Sequence, residues 1–347
     1  MSSIFLATHP RSMSTALERS FMTREDIVCA HEPFGDPFYF GPERLSDRYP
    51  EKKRVQSPYA GTTYADVYDE LRSMAYEAEK ENKRVFIKDM ISYLMPEDAT
   101  GNESNVAVAK SFGSDVRNST PSDTSITVLP SDILNSFQYV FLIRAPHLAV
   151  PSYYKRCIPP DSEKTGFDHY RPQEAGYRQL RILYDHLVKL GKRPLVVDAT
   201  DIIADPEQVL KQMCESVDLP FDQSMLSWDE NSPKVVKAFE KWNGWHDDCL
   251  KSTGFNNKSR TNGATNGHTN GSTNGSTNGH ANGHAKEVSN GHANGHASND
   301  DFVVDFADWE KQWAAKFDQD GVDTIRATVN EYLDDYLHLR KHKLTLV

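Results

Sequence analysis

Two short stretches of this chain place an apolar strand, a polar turn with a fixed cation and a helix start in direct succession. The first is Ile4-Phe5-Leu6-Ala7-Thr8-His9-Pro10-Arg11-Ser12-Met13-Ser14-Thr15-Ala16-Leu17-Glu18. The first N–H groups of a helix lack intrahelical partners, and the helix dipole is positive there, so such a turn can seat a phosphate-like anion. Ser12, Ser14 and Thr15 add hydroxyl donors and Arg11 adds a permanent positive charge. The same residues could equally form a plain helix cap. The second stretch runs from Tyr139 to Tyr154. Here a strand ends in Arg144, Pro146 opens a helix, and Ser152 follows about two helical turns on, so Arg144 and Ser152 can converge on one phosphate. Neither stretch carries the Gly-x-x-x-x-Gly-Lys-Ser/Thr pattern, which disfavours ordinary nucleoside-triphosphate binding with magnesium.

Together the two stretches resemble the sulfotransferase family. The first is similar to its 5′-phosphosulfate loop in the Pro-Arg-Ser-x-Ser-Thr form, with Met13 where glycine is common and Arg11 in place of the lysine of the cytosolic branch. Arg11 at that place resembles the bacterial, plant-like and tyrosylprotein branches. The second matches the family's 3′-phosphate motif in residue type and spacing. Leu195–Pro206 resembles the later strand with its acidic Asp-Pro turn, and Trp242–Phe255 resembles the tail of plant and bacterial members. The family's late Arg-Lys-Gly loop has no counterpart, and Lys258 and Arg260, or residues just past the following insertion, would have to replace it.

The resemblance implies the donor 3′-phosphoadenosine-5′-phosphosulfate (PAPS), with Arg11, Ser12, Met13, Ser14, Thr15, Arg144 and Ser152 around it. It also implies no metal. The acceptor hydroxyl or amine must lose a proton, so a base is needed. Relatives carry Glu-Pro where this chain has His31-Glu32-Pro33, making Glu32 the first choice and His31 the second. Arg11 would stabilise the transferring group. In Val85-Phe86-Ile87-Lys88-Asp89-Met90, Lys88 matches the family lysine that stabilises it too, Met90 replaces a histidine base, and Asp89 is the reserve base. The aromatics Phe34, Phe38, Tyr39, Phe40, Tyr93, Tyr153 and Tyr154 suit an apolar-walled pocket for a small-molecule acceptor. Alternatives in the same site are sulfation that activates an elimination or cyclisation, a P-loop kinase or nucleotide-binding protein without sulfotransfer, and a catalytically silent scaffold.

These residues must be held by regular elements. The pattern predicts strands over Ser3–Thr8, Asp26–Ala30, Arg84–Lys88, Tyr139–Arg144 and Pro194–Asp198. It predicts helices over Ser14–Arg24, Ala65–Glu81, His147–Lys155, Gln173–Leu190, Pro206–Val217 and Val322–Leu339. Alternation of this kind implies an α/β, three-layer, P-loop-like fold: a mostly parallel sheet with helices on both faces and ligands beyond its carboxyl edge.

The remaining sequence is polar. Between Thr261 and Asn299, Asn-Gly recurs at a four-residue step, which forbids a stable helix and leaves little to bury, so a disordered insertion is expected. Its histidines His268, His280, His284, His292 and His296 read as solvated linker, not as a metal site. Residues 99–124 read as a shorter surface loop, and residues 1–347 as one domain around both. Among 347 residues, Lys+Arg total 39 and Asp+Glu 50, a net charge of −11. That balance argues against general binding to nucleic acid or anionic membrane, and against polyanionic glycan acceptors. The four cysteines are scattered, and the apolar stretch Ile4–Ala7 is far short of a signal peptide or of the ~20 residues of a membrane span. A soluble, cytoplasmic protein is expected.

Overall fold

The structure, a computed structural model, describes residues 2–97, 106–113, 125–255 and 304–346. By contacts the chain divides into a body, Met1–Asn257 with Asp305–Val347, and the stretch Lys258–Val304. The body alone is described below. The Asn-Gly repeat, Lys258 and Arg260 lie outside the described residues.

Five strands form the sheet: β1 (Ile4–Thr8), β2 (Ile27–His31), β3 (Arg84–Met90), β4 (Gln138–Ile143) and β5 (Leu195–Asp198). Their order is β2-β3-β1-β4-β5 and every pairing is parallel. The chain moves to one side of β1 first and to the other side later. Its carboxyl edge beside β1 is therefore the switch point at which open α/β sheets place ligands.

Strand alternation gives the sheet two apolar faces. Ile4, Leu6, Phe86, Val140, Leu142 and Val197 form one core with Leu17 and Phe21 of α1 (Ser14–Met22). On the other face Phe5 meets Phe137 and Tyr139, and Phe141 meets Tyr184 edge-on at 5.5 Å. α2 (Tyr64–Lys80) begins in a capping box, with Thr63 and Asp66 satisfying each other's backbone N–H, and buries Tyr64, Val67, Leu71 and Ala78 at helical spacing. α3 (Pro146–Arg156) starts on its proline, whose missing N–H costs nothing at that position. α4 is Tyr177–Lys189, α5 is Pro206–Ser216, and α6, Gln319–Arg340, packs on α3 and α4.

The predicted helix over Gln173–Leu190 is shorter in the structure. Pro172–Ala175 makes a 3-10 turn, and Gly176 takes a left-handed φ of 76° before α4 begins. That turn buries Glu174 and brings Gly176 against the β1 loop, where an added Cβ would stand 3.4 Å from the Cβ of His9. Of the loop predicted over 99–124, residues 106–113 are described. They are tied to the body by Ala65 N–H donating to Ser111 Oγ and Ser111 N–H donating to Glu43.

Candidate active site

The β1 loop turns through two left-handed residues, Arg11 at φ 63° and Met13 at φ 75°. The second explains why glycine is common at the Met13 position, since left-handed backbone strains a residue with a Cβ. No side chain caps α1 and no acidic residue stands in its first turn, so the sequence does not close this helix end as a plain cap would. Thr8 Oγ1 donates to Leu142 O at 3.1 Å, so the 2.6 Å contact to Ser12 Oγ has Ser12 as donor. Ser12 thus anchors the loop from within. Ser14 is buried beside it and Thr15 is half-buried.

The loop is locked to the end of β4. His9 Nε2 accepts the Arg144 N–H at 3.0 Å, and its Nδ1 faces Pro10 O at 3.0 Å. Burial, followed by the nearby Arg144 charge, drives the His9 pKa down to about 3, so the ring is neutral. Arg144 donates to Arg11 O at 2.9 Å, and Arg11 Nε donates to Ser152 Oγ at 3.0 Å. Arg11 thus links the two stretches, bonded through its backbone oxygen to Arg144 and through its side chain to Ser152.

The second half of the site lies at the ends of β2 and β3. His31 is in register with Lys88 across the two strands. Glu32, at a left-handed φ of 47°, carries a carboxylate bound tightly by the Lys88 ammonium, and both side chains are buried. Burial alone would raise the Glu32 pKa. Lys88, then His31 and Lys241, outweigh it and hold the carboxyl below its ordinary range. Lys241 also donates to Glu32 O and pairs with Asp36.

Asp89 is not part of this cluster. Alternation along β3 turns it to the opposite face from Lys88, and its two oxygens accept the N–H groups of Phe34 and Met90, each at 2.8 Å. Burial, then the Glu32 charge, raises its pKa well above the ordinary range. In this position it shapes the Glu32-Pro33-Phe34 turn.

Two participants carried no mark in the sequence reading. His246, in the segment Trp242–Phe255, inserts between the halves: its Nδ1 lies 3.0 Å from Thr15 Oγ1 and its Nε2 lies 3.1 Å from His31 Nε2. Glu18, on the buried face of α1, lies 2.6 Å from His31 Nδ1. The same segment supplies Trp245 O, which accepts from Arg11 at 2.8 Å. The available signal was a histidine set between tryptophan and paired aspartates in the segment Trp242–Phe255. The ligand atoms of His31, Glu32 and His246 lie within 4.8 Å of one another, but Lys88 already supplies a cation to Glu32.

The sulfotransferase family profile matches residues 3–223, which holds β1 to β5 and the site residues predicted between Arg11 and Ser152. The chain belongs to the sulfotransferase family. Among relatives, it is 27% identical over 251 residues to branched-chain-amino-acid aminotransferase-like protein 2 of Arabidopsis thaliana, covering 72% of this chain and 36% of that one. It thus spans about a third of the length of that relative. It is 31% identical over 134 residues to sulfotransferase ppzF of Metarhizium majus (strain ARSEF 297), covering 35% of this chain and 39% of that one. A solved sulfotransferase domain from the Synechococcus PCC 7002 olefin synthase shares 19% identity, with a TM-score of 0.33 over 65% of this chain and 76% of that one. Sulfuryl transfer is the chemistry of the family. Among the described residues no helix is long and apolar enough to cross a membrane.

Proposed function

We propose that this protein transfers a sulfuryl group from PAPS to a hydroxyl or amine of a small-molecule acceptor. The observation that carries the reading is the convergence of Arg11, Arg144 and Ser152 beside an uncapped helix start, on the same sheet edge as the buried Glu32–Lys88 pair. Arg144 and Ser152 take the 3′-phosphate. The backbone N–H groups of Ser12–Thr15 and the Ser14 and Thr15 hydroxyls take the 5′-phosphosulfate, and Arg11 meets charge developing on its bridging oxygen.

In the reaction the bond from sulfur to the bridging phosphate oxygen breaks and a bond from sulfur to the acceptor forms. The acceptor's proton passes to Glu32, and 3′-phosphoadenosine 5′-phosphate leaves. A carboxylate held by Lys88 is a weak base at rest. Arrival of the donor's anionic oxygens gives the Lys88 ammonium a second partner, which loosens its hold on Glu32 and stabilises the transferring group. His31 is the second choice: burial, then Lys88, drives its pKa down to about 3, and both its ring nitrogens are engaged, by Glu18 and His246.

A thermal-shift comparison of PAPS with ATP, followed by an acceptor screen with sulfur-labelled PAPS, tests the reading. Stabilisation by PAPS alone and label transfer to a hydroxyl or amine are expected. Stabilisation by ATP alone would overturn it in favour of a kinase or another nucleotide-binding protein.

A further inference from the structure

A line of four polar groups runs from the buried face of α1 back to its N-terminus. Glu18 Oε2 lies 2.6 Å from His31 Nδ1, His31 Nε2 lies 3.1 Å from His246 Nε2, and His246 Nδ1 lies 3.0 Å from Thr15 Oγ1. Each contact needs one proton between its two atoms. Burial, reinforced by nearby cations, keeps both imidazoles neutral, so each ring holds one proton. Only two arrangements then satisfy all three contacts.

With Glu18 ionised, His31 Nδ1–H donates to it. His31 Nε2 is then bare and accepts from His246 Nε2–H, and His246 Nδ1 is bare and takes the Thr15 hydroxyl proton. In this arrangement Thr15 has no proton to offer a ligand. With Glu18 protonated, every donor and acceptor reverses. His246 Nδ1–H now donates to Thr15 Oγ1, and the Thr15 hydroxyl proton is free to point at an anion on the loop.

We propose that Glu18, His31 and His246 are positioning residues that set the polarity of the Thr15 hydroxyl, and that the sulfuryl donor binds the form in which Glu18 carries a proton, so that above the pH at which Glu18 ionises it binds together with a proton. The proposal rests on the reading of the β1 loop as the donor site. The proton comes from solvent, the two ring protons shift between nitrogens, and no bond to the donor forms or breaks. The second oxygen of Glu18, Oε1, is buried and lacks a hydrogen-bond partner. A neutral carboxyl tolerates such an oxygen far better than a carboxylate does. Glu18 faces Cys29, His31 and Glu32 from β2 and its turn, Lys88 from β3, and Cys249. Lys88 and Glu32 offset each other, and burial keeps both thiols protonated. His246 faces Arg11, Lys88 and Arg156, all cations that keep it neutral.

Calorimetric titration of the full chain with PAPS, in paired buffers of different ionisation enthalpy between about pH 6 and 9, reads the proton uptake directly. Relative to Thr15→Ala, wild type is expected to take up no extra proton where Glu18 already holds one, and an extra proton approaching one per PAPS as the pH rises and Glu18 ionises. Thr15→Ala should bind PAPS roughly tenfold more weakly and lose that uptake, and Thr15→Ser should restore it. Glu18→Gln should bind PAPS without uptake, and at high pH as tightly as wild type does at low pH, because an amide N–H toward His31 imitates the protonated carboxyl. Titration of PAPS itself is common to all variants and cancels. Equal uptake in wild type and Thr15→Ala across the whole range would overturn the relay while leaving the donor site standing. Should Glu18→Gln not fold, the Thr15 pair decides alone. Absence of PAPS binding by wild type would instead overturn the donor reading, and the relay with it.

Discussion

The two halves of the site are built from different materials. The β1–β4 edge, the proposed donor site, is made of backbone geometry, two arginines and hydroxyls that already bond to one another, with a neutral histidine pinning the loop. The β2–β3 edge is made of ionisable groups buried in contact: Glu32 with Lys88, and His31 with Glu18. A donor of fixed structure can be met by fixed dipoles. Proton removal needs groups whose protonation is set by their neighbours, and such groups are costly to separate once buried. Substitutions at the first edge should therefore show in donor affinity, and those at the second in turnover and stability.

The largest expected effect is at the second edge. Glu32→Gln should lower turnover roughly 10²–10⁴-fold, the range for loss of a general base, with little change in PAPS affinity. Lys88→Met leaves the Glu32 carboxylate buried without its cation and should cost about 3–5 kcal/mol of stability in urea unfolding, whereas Glu32→Gln with Lys88→Met should recover most of that loss. Parallel turnover measurements on His31→Asn and Asp89→Asn locate the base. Wild-type turnover in Glu32→Gln, with loss in either of the others, would move it there.

Next in size is the first edge. If the proposed donor site holds, Arg144→Ala and Ser152→Ala should each remove a charge-assisted bond to a phosphate, about 1.5–3 kcal/mol, or roughly 10–150-fold in affinity. The loss should appear for PAPS and be nearly absent for adenosine 5′-phosphosulfate, which has no 3′-phosphate. Equal losses for both ligands would remove the 3′-phosphate assignment from these residues.

The same contrast explains what was legible in the sequence. Strand, turn cation and helix start are local in the chain, so the β1 loop and the Arg144–Ser152 motif could be read from spacing, as could all five strands. The β2–β3 edge was legible residue by residue but not in its pairings. Glu32 meets Lys88 because β2 lies beside β3, and β-alternation alone separates Lys88 from Asp89. Glu18 reads as an ordinary polar position of α1 until the fold places His31 over it. His246 comes from a loop more than two hundred residues away from both Thr15 and His31, a closeness that no local pattern encodes.

A third test sets the acid sensitivity of the two edges side by side. His9 at the first edge and His31 at the second both have pKa values lowered to about 3, chiefly by burial. Unfolded, each would titrate near 6.5. Between these values the unfolded chain binds more protons than the native one, so each histidine stabilises the fold fully above about pH 6.5. That contribution is lost as pH falls toward 3, at up to about 1.4 kcal/mol per pH unit for each proton. Unfolding free energy measured from pH 7 downward should fall accordingly. His9→Gln should reduce the slope by about one proton and leave the His31 share. An unchanged slope in His9→Gln would show that the β1 loop is not pinned by a neutral ring.

The smallest effect concerns the loop backbone. Met13 is left-handed at φ 75°, which costs a residue with a Cβ about 1–2 kcal/mol. It also packs its side chain, partly buried, against the core that underlies α1. Met13→Gly relieves the strain, gives up that packing, and adds about 0.5–1 kcal/mol of unfolded-chain entropy. These terms oppose one another, so the unfolding free energy should move by less than about 1 kcal/mol. Gly176→Ala is the control. It imposes φ 76° on a residue with a Cβ, at about 1–2 kcal/mol, which outweighs the roughly 0.4–1 kcal/mol gained from a less free unfolded chain, and it sets that Cβ in ordinary contact with His9 at 3.4 Å. It should cost more stability than Met13→Gly and leave PAPS affinity nearly unchanged, since the His9–Arg144 contact stays in place. If instead Met13→Gly were the more damaging of the two, the loop would be held by the methionine's packing and not by His9.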